Sequence, residues 1–163
     1  MFLDEGDTIL CESPTYLGAI QALRAYGPRF IEVPTDGEGM IVSELEKRLS
    51  MGGRVKMIYV NPDFQNPSGR TWSLERRREF MEIVTRHEIP VVEDNPYGEL
   101  CFEGAPMPSI KSFDPAGLVI FLGTFSKILC PGLRIGWLAA TPALVEKYVL
   151  VKQGADLHTS TFG

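Results

Sequence analysis

The sequence predicts an α/β fold, a three-layer α/β/α arrangement whose sheet is mainly parallel. Short apolar runs of strand length recur along the chain, and segments with helical periodicity separate them. The 163 residues are enough for one domain with a sizeable core. This alternation brings strand carboxyl ends to one rim of the sheet, which is where ligands of open α/β sheets bind.

Six apolar runs are predicted to form the sheet. They cover residues 8–11, 30–33, 56–60, 90–93, 118–122 and 135–140. The third run opens into residues 61–69, whose two prolines and one glycine exclude regular structure. We therefore expect a long loop at the carboxyl end of this strand.

Four helices are expected between and after the strands, and most carry a local start signal. Ser43 with Glu46 predicts a capping box, Ser73 predicts an N-cap, and Thr141 followed by Pro142 predicts a cap and a first-turn proline. The predicted helices span residues 16–26, 43 to about 52, 74–86 and 142 to about 153. Their positions match those of crossover connections.

Composition excludes several classes of function. The chain is 44% hydrophobic and 23% charged with a net charge of −5, and it has no basic stripe, which argues against nucleic acid as a partner. Its apolar runs are far shorter than the roughly 18–20 residues of a membrane span, so no membrane partner is expected. Three widely spaced cysteines, Cys11, Cys101 and Cys130, favour a reduced, cytoplasmic setting and no metal site.

The most informative residue is Lys127, which follows the apolar run 118–122 in a predicted turn. Thr124 and Ser126 flank it with hydroxyls, and Arg134 follows seven residues later. A lysine in partly desolvated surroundings near another cation can act as a nucleophilic amine. Hydroxyls with an arginine suit an anion, most plausibly a phosphate. The pattern predicts a Schiff-base lysine beside a phosphorylated cofactor, whereas the alternative is a solvated loop lysine.

Three further loops at strand carboxyl ends carry candidate side chains. Asp94 directly follows a buried strand, so its carboxylate needs a cation or a donor, such as a protonated ring nitrogen. Asn66 and Tyr97 could donate to a ring oxygen, and Tyr16 could stack on a ring. Each also has a structural reading: Asp94 as a turn cap, Asn66 as a turn former and Tyr16 as a core aromatic.

Taken together, these motifs resemble the class I/II aminotransferases of pyridoxal-phosphate fold type I. The resemblance lies in residues 66–69 (Asn-Pro-Ser-Gly), 93–97 (Glu-Asp-Asn-Pro-Tyr) and 124–127 (Thr-Phe-Ser-Lys), with Arg134 and Gly136. Residues 62–67 and 152–159 look most like the branch of 2-aminoadipate and kynurenine aminotransferases. The similarity covers essentially the whole chain.

The resemblance implies a role for each residue. Lys127 would form a Schiff base with pyridoxal 5′-phosphate and shuttle a proton, while Asp94 would keep the ring nitrogen protonated. Asn66 and Tyr97 would hydrogen-bond the ring oxygen, and Tyr16 would stack on the ring. The phosphate would be held by Thr124, Ser126 and Arg134.

The implied activity is transfer of an amino group between an amino acid and a 2-oxo acid by a homodimer. Residues 1–163 would be the central part of a large cofactor-binding domain, without its N-terminal segment and the C-terminal small domain. Alone, the chain is expected to bind cofactor weakly and to transaminate poorly. Two alternatives are a lyase or decarboxylase of the same fold and the effector-sensing domain of a transcription regulator.

Overall fold

The computed structural model describes residues 2–161. Within that range the strands are β1 Thr8–Ser13, β2 Arg29–Asp36, β3 Gly39–Met40, β4 Val55–Val60, β5 Val91–Asp94, β6 Val119–Thr124 and β7 Gly136–Ala139. The α-helices are α1 Leu17–Arg24, α2 Val42–Ser50, α3 Leu74–His87 and α4 Pro142–Asp156. Two short 3₁₀ helices span Ile110–Phe113 and Pro131–Leu133.

The strands form one sheet in the order β3-β2-β1-β4-β5-β6-β7. The pairs among β2, β1, β4, β5 and β6 are parallel, and only the edge strands β3 and β7 run antiparallel to their neighbours. The predicted α/β class and mainly parallel sheet are therefore confirmed. The carboxyl ends of β1, β4, β5 and β6 meet at one rim, because these four strands are consecutive neighbours.

The sheet has helices on both faces. Leu10, Ile58, Val91 and Val119 are in register across four strands and pack with side chains of α2 and α3 in the larger core cluster. On the opposite face, a smaller cluster contains apolar side chains of α1 packed against β1 and β4. Burial of these apolar surfaces fixes the strands and hence the rim.

The predicted capping box at Ser43 is wrong. Helix α2 starts at Val42, with Ile41 at the N-cap position and no side-chain capping bond. The backbone N–H of Ile41 donates to the Pro34 carbonyl, and this tie to β2 starts the helix before the serine. Glu46 instead forms an ion pair with Arg86 of α3.

The other two start signals have different outcomes. Ser73 is confirmed as the N-cap of α3, since its Oγ accepts from the Arg76 N–H at 3.2 Å. Thr141 is confirmed as the N-cap residue of α4, but its side chain makes no capping hydrogen bond. The first-turn proline Pro142 is confirmed as the start of α4.

A buried ion pair connects the loop after β4 to α3. Arg77, fully buried in α3, donates from Nη2 to Asp63 Oδ1 at 2.6 Å. The amide of Asn95 donates to Asp63 Oδ2 at 2.7 Å, which extends the connection to the loop after β5. These bonds hold two rim loops against the body of the domain.

Candidate active site

A cavity of about 350 Å³ opens at the carboxyl rim of the sheet. Side chains from the segments after β1, β4, β5 and β6 line it, as the topology requires. All eight residues predicted from the sequence are among its lining residues: Tyr16, Asn66, Asp94, Tyr97, Thr124, Ser126, Lys127 and Arg134. Residues separated by more than a hundred positions in the chain thus meet at one place.

Asp94 provides the carboxylate of the cavity. It is the last residue of β5, and its Oδ2 accepts a hydrogen bond from the Tyr59 hydroxyl at 2.6 Å. Burial raises the pKa of Asp94, and the Tyr59 bond partly offsets this. Because that donor is a neutral phenol, a cationic group in the cavity would compensate the burial of the charge.

Asn61 and Tyr59 contribute to this site but were missed by sequence reasoning. The Asn61 side chain bonds both to the Asp94 backbone carbonyl and to the Asn66 N–H. A signal existed for each: Asn61 directly follows β4, as a rim residue should, and Tyr59 has the strand alternation of a side chain on the face of Asp94. A tyrosine within an apolar strand is first interpreted as a core residue, so the hydrogen bond of Tyr59 to Asp94 was not predicted.

Lys127 lies in the turn that follows β6, as predicted. The turn is closed by backbone bonds from Leu129 and Cys130 to the Phe125 carbonyl, at 2.9 and 3.0 Å. The Lys127 Nζ lies 5.8 Å from the centroid of the Tyr97 ring, within the usual range of a cation–π contact. The amine therefore faces the same cavity as the Asp94 carboxylate rather than pointing away from the rim.

Two hydroxyls and a guanidinium border the lysine. Thr124 Oγ1 accepts from the Ser126 N–H at 3.1 Å and donates to the Ile135 carbonyl at 3.4 Å. Arg134 has a left-handed backbone with φ of 53°, and it follows the short 3₁₀ turn Pro131–Leu133. Such a group of donors fits an anionic oxygen cluster.

Tyr16 is the aromatic wall of the cavity at the start of α1. Its backbone carbonyl accepts from Ile20, while its side chain is 41% exposed. The ring lies over Gly18, where an added Cβ would come within 2.5 Å of the Tyr16 Cζ. Gly18 therefore allows the ring its position, a role the sequence alone did not reveal.

Residues 2–161 have three further features. No group of three or more His, Cys, Asp or Glu side chains there could hold a metal ion. No helix in the same range is long and apolar enough to cross a membrane. Cys11, Cys101 and Cys130 are free thiols.

The fold agrees with comparisons to known proteins. The chain belongs to the family Aminotransferase class I and II, whose sequence profile it matches over residues 1–161. It is 48% identical over 166 residues to the aromatic-amino-acid aminotransferase 1 of Thermococcus litoralis, covering 99% of this chain and 40% of that protein.

A solved structure and a relative of another kind extend the comparison. The crystal structure of LysN, an α-aminoadipate aminotransferase from Thermus thermophilus complexed with N-(5′-phosphopyridoxyl)-L-leucine, has a TM-score of 0.92 and 45% identity. It is matched over 97% of this chain and 41% of that chain. An HTH-type transcriptional regulator of Bacillus subtilis, YisV, is 36% identical over 161 residues, or 97% of this chain and 32% of that protein. The chain thus spans about two fifths of the aminotransferases and one third of the regulator.

Proposed function

We propose that this chain carries the cofactor-binding core of a pyridoxal-phosphate-dependent aminotransferase. The observation that carries the proposal is the cavity in which the Lys127 amine and the Asp94 carboxylate lie among hydroxyls, amides and a guanidinium. The amino group would move between an amino acid and a 2-oxo acid, in keeping with family membership.

The side chains of the cavity fit this cofactor by their chemistry. An aldehyde needs an amine, a pyridinium nitrogen needs a carboxylate, a phenolate oxygen needs neutral donors, and a phosphate needs hydroxyls with a cation. Asp94, whose pKa is raised by burial, gains most from a cationic partner. When bound, pyridoxal phosphate supplies an electron sink for bond breaking at the substrate α-carbon.

Each of these side chains has a role in the proposed reaction. Asp94 holds the proton on the ring nitrogen, and Asn66 and Tyr97 donate to the ring oxygen. The Lys127 amine would hold the cofactor at its aldehyde and would move a proton at the substrate α-carbon. Tyr16 stacks on the ring, and the phosphate is bound by Thr124, Ser126 and Arg134.

We also propose the place of this chain in the whole protein, the oligomeric state of that protein and its location. The chain is the central part of a large domain, in line with its two-fifths coverage of the aminotransferases it resembles. The whole protein acts as a homodimer, as the family resemblance implies. It works in the cytoplasm, which suits three free thiols.

A second candidate function is that of an effector-sensing domain, because the regulator YisV contains a segment related to this chain. Such a domain would bind the cofactor without turning over an amino acid. A lyase or decarboxylase would instead consume the amino acid without delivering its amino group to a 2-oxo acid. Product analysis therefore separates all three.

The test uses the product of the complete gene, incubated with pyridoxal phosphate, 2-aminoadipate or an aromatic amino acid, and a 2-oxo acid. We expect matched amounts of a new 2-oxo acid and a new amino acid by mass spectrometry. Lys127→Ala should abolish both products, while Lys152→Ala, which removes a surface lysine paired with Asp156, should retain them. Cofactor binding without either product, or full turnover by Lys127→Ala, would contradict the proposal.

A further inference from the structure

Asn61 is a buried residue whose polar atoms reach three segments of the rim. Its backbone N–H donates to Glu12 Oε2 at 2.8 Å, next to the end of β1. Its Nδ2 donates to the Asp94 backbone carbonyl at 2.6 Å, and its Oδ1 accepts from the Asn66 N–H at 2.9 Å. One side-chain amide thus ties the end of β5 to the loop after β4.

The chemistry of the partners fixes the orientation of this amide. The Asp94 carbonyl can only accept and the Asn66 N–H can only donate, so the amide nitrogen must face Asp94 and its oxygen must face Asn66. Both hydrogen bonds can form at the same time only when the Asp94 carbonyl and the Asn66 N–H are at one particular distance from each other. Since Asn61 also lines the cavity, that separation is set at the ligand's position.

We propose that Asn61 is a positioning residue that sets the distance between Asp94 and Asn66 and so matches the site to a pyridine ring. The inference rests on the proposed function, in which Asp94 meets the ring nitrogen and Asn66 meets the ring oxygen. Those two atoms lie on different sides of one rigid ring. Because the ring is rigid, it cannot adjust when Asp94 or Asn66 shifts. Such a shift would therefore weaken the hydrogen bond between that residue and the ring.

The experiment compares two ligands in variants of the complete gene product. One ligand is pyridoxal phosphate, and the other is an analogue in which C–H replaces the ring nitrogen. Asn61→Ala removes both side-chain bonds. Asn61→Asp keeps the size and the acceptor for Asn66 but sets a carboxylate oxygen against the Asp94 carbonyl.

Ser73→Ala is the matched control, because it removes the α3 cap and lowers stability without touching the cavity. Dissociation constants are measured by absorption titration and unfolding midpoints by circular dichroism. The unfolding midpoints separate a change in the site from a loss of folded protein.

We expect the dissociation constant for pyridoxal phosphate to rise about tenfold in Asn61→Ala and in Asn61→Asp. A change of this size corresponds to the loss of the charged hydrogen bond between Asp94 and the ring nitrogen. With the nitrogen-free analogue, Asn61→Asp should bind within about twofold of the unsubstituted protein, because only the Asp94 contact is disturbed. Asn61→Ala should still bind this analogue more weakly than the unsubstituted protein, but by a smaller factor than it loses with pyridoxal phosphate. The remaining weakening comes from Asn66, which is no longer held by the Asn61 side chain. Ser73→Ala should leave both constants unchanged.

Three results would overturn this role: no weakening in either Asn61 variant, an equal weakening for both ligands in Asn61→Asp, or the same weakening in Ser73→Ala. If the unsubstituted protein binds neither ligand, the proposed function fails and the positioning role fails with it. If it binds both, the variants test Asn61 alone.

Discussion

The two sides of the cavity are built differently. On the carboxylate side, Asp94 ends a central strand and is bonded to Tyr59 and to buried Asn61. On the amine side, Lys127 lies in an exposed turn, and the next two residues, Ile128 and Leu129, are 44% and 70% exposed. Asp94 is held by side chains from the neighbouring strand β4 and the loop that follows it, whereas the turn that carries Lys127 is closed by backbone hydrogen bonds.

This difference suits the chemistry proposed for each group. A carboxylate that only holds a ring proton benefits from a fixed position, because preorganised charge needs no rearrangement during the reaction. An amine that first binds the cofactor and then moves a proton must change its partner. The exposed turn leaves it free to do so, while a buried strand end would not.

We expect the largest effect from loss of the buried Arg77–Asp63 ion pair, which supports the carboxylate side of the cavity. Arg77→Ala leaves Asp63 buried without its cation and should lower the free energy of unfolding by about 3–5 kcal/mol. Chemical denaturation measures this loss. Arg86→Ala, which breaks a surface pair with Glu46, is the control and should cost no more than about 1 kcal/mol. Equal losses would show that the buried pair is not a special support.

Asp94→Asn tests the carboxylate itself. The amide keeps the shape but cannot balance a ring proton, so turnover should fall by about 100-fold or more, the usual cost of losing one electrostatic contact to the reacting group. Initial rates at saturating cofactor measure it. Asp156→Asn, a surface acid on α4, should keep full activity. An unchanged rate in Asp94→Asn would leave the carboxylate without a role.

The pH dependence of stability tests Glu12, whose carboxylate accepts from Asn61 and from the Trp72 indole. Burial raises the pKa of Glu12 from 4.5 to about 7, so the folded state favours the protonated form. The contribution of Glu12 to the free energy of unfolding should therefore fall as pH rises from about 4.5 to about 7, by on the order of 3 kcal/mol, and stay level above.

Glu12→Gln should remove its share of that slope. Burial likewise raises the pKa of Glu93 to about 7, so a slope of the same sign should remain in the variant. Urea unfolding at pH 4.5, 6 and 8 supplies the measurement. A variant with the full original slope would show that Glu12 stays ionised throughout.

The smallest effect concerns the aromatic wall. Gly18→Ala places a Cβ where the Tyr16 ring lies, so the ring must move and the cofactor dissociation constant should rise by about two- to fivefold. Gly154→Ala, in a helix with open space at the Cβ position, should leave binding unchanged and add up to about 1 kcal/mol of stability. Identical binding in the two variants would mean that the Tyr16 ring does not bound the site.

Sequence reasoning predicted six of the seven strands in residues 2–161, missing the two-residue edge strand β3, and it predicted eight residues that line the cavity. Asp94 and Lys127 each come at or after the end of a buried strand, which local pattern reveals. Contacts between strands are harder to predict from the sequence. The hydrogen bond from Tyr59 to Asp94 joins residues 35 positions apart, and it depends on the order and register of β4 and β5. No local pattern encodes that order.

The side-chain caps of the helices were harder to predict than the positions where the helices start, for a related reason. Ser43 and Thr141 both carry hydroxyls at plausible positions, yet neither supplies a side-chain cap. The tie of Ile41 to Pro34 sets where α2 begins, and this contact exists only after β2 and the following segment have folded together. Ser73 caps α3 as predicted.

The most direct test of the central claim locates the covalent link. The complete gene product is mixed with pyridoxal phosphate, reduced with borohydride, digested and mapped by mass spectrometry. We expect a phosphopyridoxyl group on the peptide that contains Lys127, and we expect this label to be lost in Lys127→Ala. A label on Lys111 or Lys152 instead, or one that persists undiminished in the variant, would contradict it.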